Sequence, residues 1–332
     1  MAQFDLPLEE LRTYLPDRDE QDDFDAFWHA TLDEARAAAT PPTFQPAHPE
    51  LRELEVFDVA FSGFGGQRVR AWLIVPRHRS GPVPVVVQYI GYGGGRGLPS
   101  NSLEWGAAGY ATFVMDTRGQ GAGWVTGDTP DLDPGGLEPQ GPGWLTRGIM
   151  DPSRFYYRRL FTDAAMAIPA ARAHAAVNAE QVVLSGASQG GGITLAAAAL
   201  DRTVAAACVD VPFLCHFRRA TTITDEEPYR EIRDYLATHR TRVDQVYRTL
   251  SYVDGVNMAA RATAPALFSV GLMDEICPPS TVFAAYNHYA GPKEIRVWAF
   301  NGHEGGAAQQ VHERIRFVDG LGIRPPGAAP LE

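Results

Sequence analysis

Apolar residues recur along this chain with two rhythms. In the first, short β-branched runs carry little polar interruption, at 54–61, 69–75, 84–89, 111–115, 181–185, 204–209, 265–271 and 294–299. The first two are joined by Ser62-Gly63-Phe64-Gly65-Gly66, a turn composition that predicts an antiparallel hairpin. Runs such as Pro84-Val85-Val86-Val87 barely alternate, which suits strands covered on both faces in a parallel sheet. The second rhythm is helical and falls between the runs, at 101–108, 156–177, 189–200, 229–239, 279–289 and 307–321. Pro169 lies inside one of these stretches and is expected to kink it. A hairpin followed by repeated strand–helix units predicts an α/β fold, a mostly parallel twisted sheet covered by helices.

Residues 1–50 read as an N-terminal extension. Within it, 22–39 places Phe24, Phe27, Trp28, Leu32 and Ala35 at helical spacing, and Thr40-Pro41-Pro42 stops the helix. That aromatic face must bury against its own domain or a neighbouring subunit. Residues 51–322 form the α/β domain, and 323–332 a Pro-rich tail. Two insertions interrupt the domain. The first, 119–152, is rich in Gly and Pro and carries Trp124 and Trp144; the second, 221–258, is charged and partly helical. Loops of that length in a compact domain usually serve a site or an interface.

Composition narrows the classes of function. With 332 residues, 45% hydrophobic and 21% charged, the chain can bury a large core. Its net charge of -11 disfavours nucleic acid or an anionic membrane as partner and favours neutral or cationic small substrates. The three cysteines, Cys208, Cys215 and Cys277, form neither a disulfide framework nor a C-x-x-C metal pair. Residues 1–25 lack the basic and apolar regions of a signal peptide, and no apolar run is long enough to span a bilayer. The expectation is a soluble, cytoplasmic protein that uses no metal and no cofactor.

The chemistry centres on Gly186-Ala187-Ser188-Gln189-Gly190, between the run at 181–185 and an alanine-rich helix. Strand, glycine turn and helix form the setting in which G-x-S-x-G lifts a serine hydroxyl above a sheet. A serine needs a base, and the base needs an orienting acid. Asp274 follows the run at 265–271 and His303 follows the run at 294–299, so both should open on the same sheet edge as Ser188. Asp210 and Glu275 are rival acids; His216 and His288 are the histidines hardest to dismiss. An oxyanion hole would combine the backbone N–H of Gln189 with one from the loop Gly91-Tyr92-Gly93-Gly94-Gly95-Arg96-Gly97, where Tyr92 is the expected donor. The same loop lacks the Lys-Ser/Thr of a phosphate cradle.

Arg118-Gly119-Gln120, Gly186-Ala187-Ser188-Gln189-Gly190 and His303-Glu304 occur in the order of the RGQ, GxSQG and HE signatures. On these motifs the chain resembles the acetyl xylan esterase/cephalosporin C deacetylase family, carbohydrate esterase family 7, over nearly its whole length. The resemblance implies an α/β-hydrolase fold and a triad of Ser188, His303 and Asp274. It also implies deacetylation of short xylo-oligosaccharides and of cephalosporin C, with perhydrolysis when hydrogen peroxide replaces water. It further implies a homohexamer built as a dimer of trimers. Arg118, Gln120 and Glu304 would support the site structurally. Gly93 departs from the family, standing where an asparagine is expected. Tyr92, Phe213, Pro228, Ile276 and Cys277 are the expected pocket walls, and rigid bulky walls would select acetyl over longer acyl groups. A peptidase on this fold would need an amine site or a further domain, and a catalytically silent scaffold would not need the ordered Ser, Asp and His.

Overall fold

The computed structural model describes residues 3–132 and 141–331. Its nine strands are β1 (Thr43–Ala47), β2 (Leu54–Ser62), β3 (Arg68–Pro76), β4 (Val83–Tyr89), β5 (Ala111–Met115), β6 (Val177–Ala187), β7 (Ala206–Asp210), β8 (Ala266–Gly271) and β9 (Lys293–Trp298). They form one sheet in the order β1-β2-β3-β5-β4-β6-β7-β8-β9. Pairings from β1 through β3 to β5 are antiparallel, and those from β5 through β4 to β9 are parallel. Every residue of β5, β7 and β8 is buried, as the unalternating apolar runs require of strands covered on both faces.

The helices are α1 (Leu8–Leu11), α2 (Phe24–Ala37), α3 (Glu104–Ala107), α4 (Tyr156–Arg172), α5 (Gln189–Leu200), α6 (Phe217–Ile223), α7 (Tyr229–Thr238), α8 (Val243–Ser251), α9 (Gly255–Ala259), α10 (Pro279–His288) and α11 (Ala307–Gly320). The main core lies on the face covered by α4, α5 and α10. A second core joins Trp105 of α3 and Val318 of α11 to Val86, Val183 and Cys208 on the opposite face. Among the described residues no helix is long and apolar enough to cross a membrane.

The sequence pattern and the structure differ in three places. The extension contributes a strand, β1, which pairs with β2 at the sheet edge. Pro46 hid it, since a proline weakens a strand reading but is tolerated on an edge. The helix read across 156–177 ends at Arg172, with Pro169 in its last turn, and Val177 already belongs to β6. The charged insertion of 221–258 is mostly helical, carrying α7, α8 and α9 behind α6. Of the insertion at 119–152, residues 133–140 lie outside the described residues.

The aromatic face of α2 packs on its own chain. Trp28 stacks on Phe161 of α4, with ring centroids 6.0 Å apart, and its Nε1 donates to the Tyr252 carbonyl at 2.8 Å. Phe27 meets the Tyr252 ring at 4.6 Å.

Candidate active site

Ser188 stands between the end of β6 and the start of α5 with φ 58° and ψ −122°. A non-glycine residue with positive φ is strained and must be held by its surroundings. Three backbone bonds do so. The Ser188 N–H donates to the Asp210 carbonyl at 3.0 Å, and the Ser188 carbonyl accepts from Gly192 at 3.1 Å and Phe213 at 2.9 Å. The two flanking glycines are required by close approach. A Cβ on Gly186 would lie 2.3 Å from the Gly190 carbonyl oxygen, and one on Gly190 would lie 2.3 Å from that of Tyr89.

Asp274 follows β8 and is fully buried. Its Oδ1 accepts the N–H groups of Ile276 and Cys277, each at 2.9 Å. Its Oδ2 lies 2.9 Å from Nδ1 of His303, which follows β9. An ionised carboxylate only accepts, so this contact places the hydrogen on Nδ1 and leaves the Nε2 lone pair available as a base. The rival acid Asp210 is turned elsewhere. It accepts from Gln310 at 2.7 Å and pairs with Arg314 at 3.4 Å. The rival histidines are taken up by the extension, His216 stacking on Tyr14 and His288 meeting the Pro16 carbonyl at 2.8 Å. Asp274, Cys277 and His303 are also the one group of potential metal ligands gathered within 4.8 Å among the described residues. The Asp and His of that group already bind each other.

The glycine loop after β4 lies across the elbow. Among the described residues, neither the Tyr92 N–H nor the Gln189 N–H donates a hydrogen bond. Side chains fix the loop instead. Gln120 Oε1 accepts from the Gly93 N–H at 2.7 Å, and its Nε2 donates to Gln189 Oε1 at 2.9 Å and to the Tyr156 hydroxyl at 3.0 Å. Gln189 Nε2 donates to the Ile90 carbonyl at 3.2 Å, and Tyr157 donates to Gln189 Oε1 at 2.9 Å. Two buried amides thus join the loop, α4 and the start of α5. Arg118 anchors the next layer, donating to Asp163 at 2.6 Å and Gln67 at 2.8 Å, while its carbonyl accepts from Tyr156 at 2.6 Å. Gly93 has φ 79°, and a Cβ there would meet only ordinary contacts, 3.7 Å or more away. Glycine and asparagine both adopt that conformation, so the departure from the family motif keeps this backbone accessible.

Ser188 and His303 line a cavity of about 600 Å³, bordered by Tyr92, Pro228 and Ile276. Two expected walls do not line it. Phe213 is fully buried and stands behind Tyr92, edge-on to that ring at 6.1 Å and to Tyr229 at 4.5 Å. Its short spacing from Asp210 places it under the elbow, where its N–H holds the Ser188 carbonyl. Cys277 is also fully buried, below the surface of the cavity. Burial pushes its thiol's pKa well up, so it stays protonated.

One contributor, Glu231, had no signal in the sequence. Glu231 of α7 accepts the Tyr92 hydroxyl and the N–H groups of Gly143 and Leu145, fixing the Tyr92 ring as a wall. It lies 139 residues from Tyr92. Glu304 accepts from the Asn301 side chain at 2.8 Å and the Gly302 N–H at 3.1 Å, bracing the turn that presents His303. The Asn301 bond comes first among the effects that lower the Glu304 pKa.

A mostly parallel sheet, a serine at a strand–helix elbow and a His–Asp pair on the loops after β8 and β9 define an α/β hydrolase. The chain belongs to the acetyl xylan esterase (AXE1) family, whose model matches residues 1–321, and this places it among the carboxylic ester hydrolases. A solved acetyl xylan esterase from Paenibacillus sp. R4 is 39% identical, with a TM-score of 0.87 over 95% of this chain and 99% of that one. Acetyl Xylan Esterase 1 from Thermoanaerobacterium sp. JW/SL YS485 is 32% identical, also with a TM-score of 0.87, over 96% of this chain and 99% of that one. The acetyl esterase Axe7A of Xylanibacter ruminicola is 27% identical over 290 residues, 85% of this chain. The match spans 63% of that relative's length.

Proposed function

We propose that the protein is a metal-independent serine esterase that removes acetyl groups from small acetylated carbohydrates, short xylo-oligosaccharides above all. The observation that carries this reading is the 2.9 Å bond between buried Asp274 and His303, on the cavity that also holds the Ser188 elbow. Ser188 Oγ attacks the acetyl carbonyl while His303 Nε2 takes its proton. The tetrahedral oxyanion accepts from the N–H groups of Tyr92 and Gln189. Its collapse breaks the ester bond, the alcohol leaves with the proton from His303, and an acetyl-Ser188 remains. Water attacks that ester with His303 as base again, releasing acetate and restoring the serine.

The family resemblance extends the reading to the acetyl group of cephalosporin C, to peracetate formation with hydrogen peroxide, and to a homohexamer. Tyr92, Pro228 and Ile276 form a short acyl wall, so acetyl esters should be preferred over butyryl and octanoyl ones.

The test compares acetylated xylobiose and nitrophenyl acetate, butyrate and octanoate as substrates for wild type and Ser188→Ala. Wild type should favour acetate, and Ser188→Ala should lose about 10³-fold or more in kcat with its fold intact. Retained activity in Ser188→Ala would end the assignment of the nucleophile, and a rate rising with acyl length would end the small acyl pocket.

A further inference from the structure

The cavity has a second end that the acetyl group does not explain. Tyr92, Pro228 and Ile276 border it on the side of α7, whereas Gln88, Glu104 and Arg314 border it on the side of α3 and α11. Gln88 is an anomaly in its strand: β4 reads Val83-Pro84-Val85-Val86-Val87-Gln88-Tyr89, and Gln88 alone is polar. It sits at the carboxyl end of β4, in register with Ser185 of β6, so the two side chains share a face of the sheet. Arg314 of α11 donates to Ser185 Oγ at 3.1 Å and lies over the Trp105 ring, next to Glu104 in α3. Strand register and helix packing therefore bring an amide, a guanidinium and a carboxylate to one end of the cavity.

These groups are under-used by the protein. Among the described residues the Gln88 amide makes no hydrogen bond, and its Oε1 is buried without a partner. An unsatisfied buried amide costs on the order of 1–3 kcal/mol, so its retention calls for an explanation. Likewise, no hydrogen bond or ion pair from a described residue engages the Glu104 carboxylate. At the mouth, Trp124 is 67% exposed, yet it is held rigidly. Its Nε1 donates to the Tyr92 carbonyl at 2.9 Å, and its ring lies so close over the glycine loop that a Cβ on Gly94 would meet it at 2.7 Å. A fixed, solvent-facing indole offers a flat apolar face to the C–H surface of a pyranose ring.

We propose that this end of the cavity is a polyol subsite, in which Gln88, Glu104 and Arg314 bind the free hydroxyls of the alcohol half of the ester and Trp124 stacks on its ring. The proposal rests on the esterase reading and names the part of the substrate that reading leaves open. A carboxylate accepts from vicinal hydroxyls, a guanidinium donates to them, and an amide does both. The carboxylates of Asp210 and Glu104 flank the Arg314 guanidinium, so this end prefers a neutral polyol to an anionic alcohol such as that of cephalosporin C, which would have to lie outside it.

Two arms test it. Gln88→Met removes the amide at similar volume, and Glu104→Gln removes the charge at the same shape. Both should raise KM for an acetylated methyl xyloside about tenfold, with kcat and all constants for nitrophenyl acetate within about twofold of wild type. In the second arm, xylobiose binding to Ser188→Ala is followed by saturation-transfer NMR, with and without Gln88→Met. This arm reads the subsite without turnover, so a failed esterase assignment and a failed subsite remain distinguishable. Xylobiose should bind Ser188→Ala and lose most of its signal in the double variant. The subsite is overturned if both variants leave the xyloside KM within twofold, if nitrophenyl acetate suffers equally, or if xylobiose does not bind. Circular dichroism checks folding, and should one variant misfold, the other variant and xylobiose binding to Ser188→Ala decide.

Discussion

Replacing Asp274 with asparagine tests the central pair most sharply, because the same change at Asp210 supplies its control. Asp274 Oδ1 holds two backbone N–H groups at 2.9 Å, and only an acceptor can sit there. In Asp274→Asn the amide oxygen keeps that place and the NH₂ group turns to His303. It then donates to Nδ1, which drives the imidazole hydrogen onto Nε2, where it can no longer take a proton from Ser188. In serine proteases the equivalent change costs about 10⁴ in kcat, which corresponds to about 5 kcal/mol of activation free energy. Stability should change little, since the two backbone bonds survive. Asp210→Asn should behave in the opposite way. It retains an acceptor for Gln310 but loses the charge facing Arg314, whose side chain is 11% exposed. The expected cost is about 1–3 kcal/mol of stability, with nitrophenyl acetate turnover within a few fold of wild type. Steady-state kinetics and urea unfolding of both variants decide the matter. A large kinetic loss in Asp210→Asn with normal kinetics in Asp274→Asn would refute the pairing.

Arg118→Lys should destabilise the protein by about 3–5 kcal/mol, because a lysine cannot replace the forked contacts to Asp163 and Gln67 in a fully buried site; a thermal midpoint unchanged from wild type would contradict this. His216 carries a pH signature. Burial, aided by Arg219 and His288, pushes its pKa down to about 4 from 6.5. Between those values the unfolded chain binds the extra proton, so this contribution is full above pH 6.5 and is lost as pH falls to about 4. The stability of wild type relative to His216→Gln should therefore drop by up to about 3 kcal/mol from pH 7 to pH 4, read by urea unfolding at each pH. Using the difference cancels Asp254, which burial pushes up to about 6 and which acts with the opposite sign.

What could be read from the sequence was whatever local chemistry records. The glycines at 186 and 190 mark a turn too tight for a Cβ. Asp274 and His303 each end an apolar run, and the carboxyl ends of parallel strands share an edge. Partners distant in sequence leave no such mark. Nothing near Tyr92 announces Glu231, and nothing near Gln120 announces that its amide would meet that of Gln189. Phe213 was read as a wall because it follows a strand, but backbone bonding to Ser188 pulls it beneath the elbow. In the charged insertion, α8 does carry an apolar stripe of Val246, Tyr247 and Leu250, but over only nine residues, and α9, with five, is too short to show a helical period.

The extension is bound to the far end of the chain, and this affects the order of events as the protein is made. Trp28 hydrogen-bonds the Tyr252 carbonyl, 224 residues downstream. Asp5 accepts from the Ser280 N–H, and Asn287 donates to the carbonyls of Leu11 and Tyr14. At about 5–20 residues per second, roughly ten to forty-five seconds separate synthesis of Trp28 from that of Tyr252. Through that interval part of the aromatic face of α2 has no partner to cover it. A segment made well before its partners is thus among the last to be locked in place. Until Tyr252 is made, that uncovered aromatic surface is a place where the growing chain can stick and where chaperone shelter counts.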